Sequence, residues 1–297
     1  MLRATIVLFV VVGGSLAWLL SHEPPRQLDL IDSVWWGDAA TRKVASDVAY
    51  GTDPRQKLDI YAPVESTGKA RPLLVFFHGG GWYKGNRESY GFAGRAFAAR
   101  GFIVAVPSYR LVPDNVFPDF IEDGAAAVAK ARSLAARYGA DPDRIVLAGH
   151  SAGAHIAAMI ALDPQYLTAQ GVPMAAIKGV AGLSGPYNFL PLDKESSINA
   201  MGKVRPAETT QPIHYVSAES PPMLLITGSD DTTVKPHNSY DLARALKAAG
   251  RDGEVKDYPG LDHENIIMAL SRPFRSKGPI LADSAAFLHR VTGRPAR

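Results

Sequence analysis

The most constraining feature of this sequence is a single serine set among small residues at 145–155, IVLAGHSAGAH. An apolar, β-branched run leads into Gly149, Ser151 and Gly153. A serine presented on a tight turn from a strand to a helix needs glycines at these flanking positions, because a Cβ there would collide with the neighbouring strand and helix. The pattern therefore predicts a parallel sheet whose carboxyl edge presents Ser151 to a general base and a substrate carbonyl.

Strand-like and helical segments alternate along most of the chain. Apolar runs typical of strands recur from Leu73 to Tyr258, separated by segments with helical periodicity. A hairpin with the sequence VASDVAYGTDPRQKLDIYAPV precedes them from Val44. This order predicts an α/β fold, with a mostly parallel sheet covered by helices on both faces and opened by an antiparallel hairpin. The chain has 297 residues, 46% of them hydrophobic, which suffices for one such domain over residues 44–297.

The first residues are apolar and uncharged. Arg3 is followed by residues 4–20, ATIVLFVVVGGSLAWLL. Their length lies where secretory signals and membrane spans overlap, so residues 1–23 are predicted to be a signal peptide or a membrane anchor. Because Arg3 would hold the N-terminus in the cytoplasm, we expect the remainder to be exported. It would be membrane-anchored and facing the outside of the cytoplasm, or periplasmic or secreted if the leader is cleaved. Residues 24–43 are expected to be a linker that leads into the domain.

Composition and charge exclude several classes of function. The net charge is only +3, and no Lys/Arg cluster is interleaved with aromatic residues, so we expect no nucleic-acid partner. The absence of cysteine excludes disulfides, Cys-bound metals and a thiol nucleophile. The helical zinc-protease motif needs a second histidine four residues after the first. Ile267 occupies that position after His263, so the motif is not formed. We therefore expect neither a metal nor a cofactor.

A second motif, FFHGGGW at residues 76–82, follows an earlier apolar strand. Three consecutive glycines lose much conformational entropy on folding, so such a loop points to a function. Its free backbone N–H groups can stabilise an oxyanion, and we assign Gly80 and Gly81 as donors with Ala152 as the third. One such donor is worth about 2.7–4 kcal/mol in comparable sites. A phosphate-binding loop is not expected, because its Lys-Ser/Thr ending is missing.

The general base and its acid are expected downstream of Ser151, because this architecture orders its catalytic groups as serine, acid and histidine. His263, in YPGLDHEN, lies in a loop after the last predicted strand, from which it can reach the carboxyl edge. For the acid, LLITGSDDTTV places Asp230 and Asp231 just beyond a strand end. Both positions suit an acid that orients the histidine.

Residues 184–222 interrupt the alternation and contain six prolines. Long irregular excursions in compact domains usually shape binding sites, so we predict a lid-like segment here, with a disordered surface insertion as the alternative. Trp82, Tyr83 and Tyr187 are expected to be walls of the substrate pocket, although aromatic residues beside a cleft also serve as core.

Six stretches, in order, resemble one known family: YGTDPRQKLDIYAP, HGGGWYKGNR, PSYRLVP, YGADPDRIVLAGHSAGAH, PPMLLITGSDDTTV and PGLDHEN. They are similar to the carboxylesterase branch of the α/β-hydrolases that carries an HGGGW oxyanion loop, a relative of hormone-sensitive-lipase-type esterases. The resemblance covers nearly everything from Val44 onward. It implies Ser151 as nucleophile, His263 as base and Asp231 as acid, since the family spacing Gly-x-x-Asp-x-x-Val fits residues 228–234.

The resemblance implies a serine carboxylesterase that cleaves small to medium acyl esters through an acyl-enzyme, with a small-molecule ester as its partner. The GADPDRIVLAGHSAGAHIAA stretch is also similar to prenylcysteine methylesterases and kynurenine formamidases. An aryl-formamide or another amide therefore stands as the alternative substrate. A non-catalytic binding module on the same fold is the remote alternative, and the loss of a triad or oxyanion residue that would mark it is absent from the sequence.

Overall fold

The computed structural model describes residues 24–34, 38–66 and 68–293. The predicted leader, residues 1–23, lies outside the described residues. Within them, none of the helices combines the length and the apolar character needed to cross a membrane.

The described part of the chain forms one eight-stranded sheet with the order β1-β2-β4-β3-β5-β6-β7-β8. Strands β3 to β8 run parallel to one another, whereas β2 pairs antiparallel with both β1 and β4. The predicted α/β class, with a mostly parallel sheet opened by an antiparallel hairpin, is therefore confirmed. The strands are β1 Thr41–Ala49, β2 Lys57–Pro63, β3 Arg71–Phe77, β4 Ile103–Pro107, β5 Ala140–His150, β6 Ile177–Leu183, β7 Met223–Gly228 and β8 Gly253–Tyr258.

Helices cover both faces of this sheet. The α-helices are α1 Pro24–Val34, α2 Gly91–Ala99, α3 Asp119–Leu134, α4 Ala152–Leu162, α5 Pro164–Ala169, α6 Glu195–Met201, α7 His237–Ala248, α8 His263–Met268 and α9 Ile280–Val291. One apolar cluster joins the sheet to α1, α2, α8 and α9, and the other joins it to α3, α4, α5 and α7. The interior strands are buried on both faces, as their continuous apolar runs require.

The segment 24–43, expected to be a linker, contains α1 and the start of β1. Leu28 of α1 is buried in the core cluster that contains α2. The carboxylate of Asp32 is also buried, where it accepts hydrogen bonds from Arg95 at 2.7 Å and from the backbone N–H of Arg272 at 2.7 Å. These partners are distant in sequence and cannot be recognised from the segment itself. For this reason its polar composition alone indicated a linker and not a helix.

The segment 184–222 folds into short helices above the carboxyl edge. It contains α6 and two 3-10 helices, Ala207–Thr210 and Pro212–Tyr215. Ala200 and Met201 of α6 are buried against the main core. The backbone N–H of Phe189 donates to the side-chain oxygen of Gln211 at 2.7 Å, which joins the two ends of the segment.

Candidate active site

Ser151 lies on a tight turn between β5 and α4. Its φ of 54° and ψ of −121° place a non-glycine residue in a strained region, and its N–H donates to the Leu183 carbonyl at 2.9 Å. A Cβ at Gly149 would lie 2.4 Å from the Gly153 carbonyl oxygen, and a Cβ at Gly153 would lie 2.2 Å from the Phe77 carbonyl oxygen. The two glycines are therefore required by the close packing of the turn against β3 and α4.

His263 is the first residue of α8. The preceding residue, Asp262, caps this helix by accepting a hydrogen bond from the N–H of Asn265 at 2.7 Å. Nδ1 of His263 lies 2.8 Å from Oδ2 of Asp231. The imidazole is largely buried, with 6% of the residue exposed. The cap and the carboxylate together fix the orientation of the ring.

Asp231 and Asp230 differ sharply in their surroundings. The other carboxylate oxygen of Asp231 accepts hydrogen bonds from the N–H groups of Thr233 at 3.0 Å and Val234 at 2.8 Å. Asp230 is exposed, and its carboxylate accepts a hydrogen bond from the Ser229 hydroxyl at 2.8 Å. Of the two aspartates that the local sequence left open, Asp231 is the one that contacts His263.

A glycine allows this contact between two loops. A Cβ at Gly228 would lie 2.1 Å from the Leu261 carbonyl oxygen. The end of β7 can therefore approach the loop that carries His263 only because residue 228 has no side chain. The N–H of Asp230 donates to the same Leu261 carbonyl at 3.1 Å, which holds the two loops together.

The glycine loop after β3 folds back beside Ser151. Gly80 and Gly81 have φ values of 125° and 59°, and the N–H groups of Tyr83 and Lys84 donate to the Gly80 carbonyl at 3.2 and 3.0 Å. A Cβ at Gly80 would lie 2.2 Å from the Lys84 carbonyl oxygen. His78 anchors the start of the loop, because its ring stacks on Tyr109 at 4.2 Å between centroids.

A cavity of about 810 Å³ opens at this edge of the sheet, which is within the usual size range for small-molecule sites. Ser151, His263, Gly80 and Gly81 line it, together with Trp82 and Tyr83 among the predicted pocket walls. Ala152 lies directly behind Ser151 as the first residue of α4, where backbone N–H groups have no partner within the helix.

Tyr187 is not among the residues that line the cavity, so its prediction as a pocket wall is wrong. It is fully buried, and its ring fills the space left beside Gly182 and Gly185. Its backbone N–H donates to the side-chain oxygen of Asn238 at 2.8 Å. Tyr187 is a core residue of the segment 184–222, because a large ring packs where two glycines leave room.

His150 is a neighbour of the site to which the sequence analysis gave no role. Its ring lies 4.6 Å from that of His263, and its Nε2 lies 3.2 Å from the His263 carbonyl oxygen. Burial lowers the pKa of His150 well below 6.5, so the imidazole is neutral and Nε2 carries the proton that it donates to this carbonyl. His150 lines the same cavity as Ser151, and its position beside the serine in GHSAG was the available signal.

Apolar residues from both helical layers complete the cavity. Leu28, Ile31, Phe92, Ile267 and Met268 line it on the side of α1 and α8. Phe189, Leu190 and the flanking prolines of the segment 184–222 line it elsewhere. The predicted lid-like segment thus contributes to the cavity, whereas the contribution of α1 was not anticipated.

This fold, with a serine on a strand-to-helix turn and a histidine–aspartate pair beyond later strands, defines an α/β-hydrolase. Residues 58–246 match the model of the BD-FAE family, and the chain belongs to that family.

Curated relatives carry the names of esterases. The chain is 30% identical over 249 residues to a probable isoprenylcysteine alpha-carbonyl methylesterase of Arabidopsis thaliana, which covers 76% of this chain and 52% of that protein. It is 29% identical over 264 residues to esterase LipC of Mycobacterium tuberculosis, covering 82% of this chain and 64% of that protein. The chain therefore spans about half to two thirds of the length of these relatives.

Solved structures share the fold. Esterase B from Lactobacillus rhamnosis superposes with a TM-score of 0.75 at 21% identity, covering 99% of this chain and 97% of the other. Esterase 2 of Thermogutta terrifontis gives a TM-score of 0.73 at 24% identity over 83% of this chain and 94% of the other.

Proposed function

We propose that this protein is a serine carboxylesterase that hydrolyses small to medium acyl esters through an acyl-enzyme. The observation that carries the proposal is the contact between His263 and Asp231 at 2.8 Å, on the wall of a cavity that also exposes Ser151. Membership of the BD-FAE family and the esterase names of its relatives support ester hydrolysis.

In the proposed reaction, His263 accepts the Ser151 proton at Nε2 while the serine oxygen attacks the ester carbonyl. Asp231 accepts the hydrogen bond from Nδ1, fixes the tautomer and stabilises the imidazolium that forms. The N–H groups of Gly80, Gly81 and Ala152 stabilise the oxyanion. His263 then protonates the leaving alcohol, and water activated by the same imidazole releases the acid.

The strained turn at Ser151 has a role in this mechanism. Ser151 lines the cavity with a positive φ, and its backbone is held in this conformation by the hydrogen bond to Leu183. Because the turn is fixed before substrate binds, the serine and the oxyanion donors of α4 require no rearrangement during the reaction.

The test is hydrolysis of short- and medium-chain nitrophenyl esters by the wild-type chain and by Ser151→Ala, with mass spectrometry after reaction with a fluorophosphonate. We expect turnover to be lost in the variant and the label to lie on Ser151 of the wild type. A folded wild-type protein that takes no label would contradict the proposal. Labelling without ester turnover would instead direct the work to formamides and other amides.

The role of Asp231 is tested by comparing it with its neighbour. Asp231→Asn removes the charge that orients His263, so we expect kcat to fall roughly 10³-fold or more. Asp230→Asn changes an exposed group and is expected to retain nearly wild-type kcat. Comparable losses in the two variants would show that Asp231 is not the orienting acid.

We also propose that residues 4–20 export the chain and anchor it to a membrane, because this stretch is uncharged and follows Arg3. Fractionation of cells that express the full chain, followed by carbonate extraction and N-terminal sequencing, tests this. Retention of the intact chain in the membrane pellet is expected. A soluble exported chain that lacks residues 1–23 would indicate a cleaved signal, and an intact cytosolic chain would contradict export.

A further inference from the structure

The cavity is bordered by side chains from two separate apolar clusters. Leu28, Phe92 and Ile267 belong to the cluster on the α1 face of the sheet, and Trp82 belongs to the cluster on the opposite face. Ser151 lies at the carboxyl edge between them. The cavity therefore has an apolar wall on each side of the nucleophile. We name the first of these the α1 wall, formed by Leu28, Ile31, Phe92, Ile267 and Met268.

The α1 wall is held firmly in place. Arg95 of α2 donates to the carboxylates of Asp29 at 2.9 Å and Asp32 at 2.7 Å, both on α1. Arg26 donates to the Glu88 carbonyl oxygen at 3.1 Å. Since the carboxylates of Asp29 and Asp32 are both buried and paired, α1 is a fixed part of the cavity wall and is not a loosely attached cover.

The α1 wall lies on the same side of the cavity as the general base. Helix α8 starts at His263, and Ile267 and Met268 occupy its next turn. The 3-10 helix Arg272–Lys277 contacts both α1 and α8, and its Phe274 also lines the cavity. In acyl transfer the histidine delivers its proton to the leaving oxygen, so the alcohol portion of an ester must lie on the His263 side.

We propose that the α1 wall is the subsite for an apolar chain on the alcohol portion of the ester, so that the preferred substrates are esters of lipophilic alcohols. This inference rests on the proposed esterase function and adds the side of the ester bond on which the apolar group lies. Gln27 of α1 and the exposed Glu264 of α8 also line the cavity, but the five residues of the α1 wall are all apolar. They therefore offer a hydrocarbon chain favourable burial that a polar alcohol would not gain.

The experiment measures kcat/KM for two series of substrates. The first consists of acetates of ethanol, butanol, hexanol and octanol, and the second consists of ethyl esters of acetic, butyric, hexanoic and octanoic acids. For the wild type we expect a steeper rise with chain length in the alcohol series. Ile31→Trp places a larger side chain in the α1 wall and fills the space in front of it. We therefore expect the ratio of kcat/KM for octyl acetate to that for ethyl acetate to fall roughly tenfold, the effect of one or two methylene contacts.

Val34→Trp is the matched control, because Val34 lies on the last turn of the same helix, is 79% exposed and does not line the cavity. We expect it to keep the wild-type ratio. Ile31→Ala removes apolar contacts from the subsite and is the second variant if the tryptophan fails to fold, as judged by circular dichroism. It is also expected to lower the octyl-to-ethyl ratio of the acetates.

Two outcomes would overturn the inference. If the alcohol-series ratio is unchanged in a folded Ile31 variant, the α1 wall does not bind the alcohol. If only the acyl-series ratio changes, the apolar chain lies on the acyl side instead. In either case, hydrolysis of any ester of the two series that is lost in Ser151→Ala would leave the proposed esterase function intact. If the folded wild type hydrolyses none of these esters, that function is contradicted independently of α1.

Discussion

His263 is held through its side chain by one residue and through its backbone by another. Asp231 contacts Nδ1 at 2.8 Å, and His150 donates from Nε2 to the His263 carbonyl at 3.2 Å. His150 is the last residue of β5 and directly precedes Ser151. Its hydrogen bond therefore connects the strand that leads to the proposed nucleophile with the loop that carries the proposed base. Its own neutrality also matters for the proposed mechanism, since a second cation beside His263 would oppose the imidazolium that this mechanism requires.

Replacing His150 is expected to affect catalysis more than binding. His150→Leu leaves the His263 carbonyl without its donor, at a cost of about 1–3 kcal/mol, and we expect kcat to fall roughly tenfold with little change in KM. His150→Gln keeps an N–H donor and is expected to recover part of the loss. Steady-state kinetics on one nitrophenyl ester measures both effects.

His155 provides the matched control for this comparison. It is also buried and lies in α4, and its Nε2 is 2.8 Å from the Thr210 carbonyl oxygen, which is outside the His263 loop. His155→Leu is expected to lower stability with a smaller effect on kcat. Equal losses of kcat in the two leucine variants would mean that His150 acts only through general packing.

Three buried histidines are expected to make the protein less stable at mildly acidic pH. Burial lowers the pKa of His78 from 6.5 to about 3, that of His155 to about 4 and that of His150 well below 6.5. The unfolded chain takes up protons below about pH 6.5 that the folded chain does not, so the free energy of unfolding decreases as pH falls. Each histidine contributes about 1.4 kcal/mol per pH unit until its folded pKa is reached.

Urea unfolding at about pH 7 and about pH 5.5 measures this dependence above the range in which carboxylates titrate. The wild type is expected to lose stability over this interval, and His155→Leu is expected to lose less because one of the three groups is gone. An identical pH dependence in the variant would show that His155 titrates alike in the folded and the unfolded chain, contrary to the expected effect of burial.

At the scale of single residues, the sequence predicted the candidates but could not choose among all of them. Ser151 and His263 were indicated by local motifs and by chain order. Only the family resemblance distinguished Asp231 from Asp230 as the acid. Adjacent aspartates lie on different sides of a turn, and which of them faces His263 depends on contacts with residues 261–263. Tyr187 was misassigned because burial beside two glycines leaves no mark in the sequence around it.

Among the elements, α1 is held by partners that are distant in sequence. Its sequence, PPRQLDLIDSV, has only a few apolar residues, and an isolated helix of this length is marginal in water. Its stability comes from Leu28 in the core and from the buried carboxylates that pair with Arg95. The strands of the central sheet were predicted well because their long apolar runs carry their own signal.

Arg95→Met tests the anchoring of α1. The variant leaves the buried carboxylate of Asp32 without its cation, and we expect a loss of about 3–5 kcal/mol in the free energy of unfolding. The matched control is Arg244→Met, because Arg244 pairs with Asp241 at 3.2 Å while its side chain is 76% exposed. That surface pair is expected to contribute less than about 1 kcal/mol.

Urea unfolding gives both values, and the alcohol-series ratio of the acetates reports whether α1 keeps its position. A loss in Arg95→Met no larger than in Arg244→Met would show that the buried pair is not what holds the helix. A large loss of stability in Arg95→Met with an unchanged octyl-to-ethyl ratio in the folded fraction would show that the α1 wall keeps its position without the Arg95 pairs.

For the molecule as a whole, the carboxyl edge of the sheet brings together residues from four distant parts of the chain. The glycine loop follows β3, Ser151 follows β5, Asp231 follows β7 and His263 follows β8. Their convergence was predictable from the alternation of strands and helices, because a parallel sheet places all of these strand ends at one edge. The α1 wall was not predictable, since α1 precedes the hairpin that opens the sheet and reaches the site from outside the alternating pattern.

The position of α1 also limits how the chain can be processed. Only Ser21, His22 and Glu23 separate the apolar residues 4–20 from the helix that borders the cavity. A peptidase that removed the leader would have to cut before Pro24 to leave α1 intact, because a cut a few residues further on would remove part of a helix whose two buried carboxylates pair with Arg95. Maturation and activity would then be linked by the placement of a single bond.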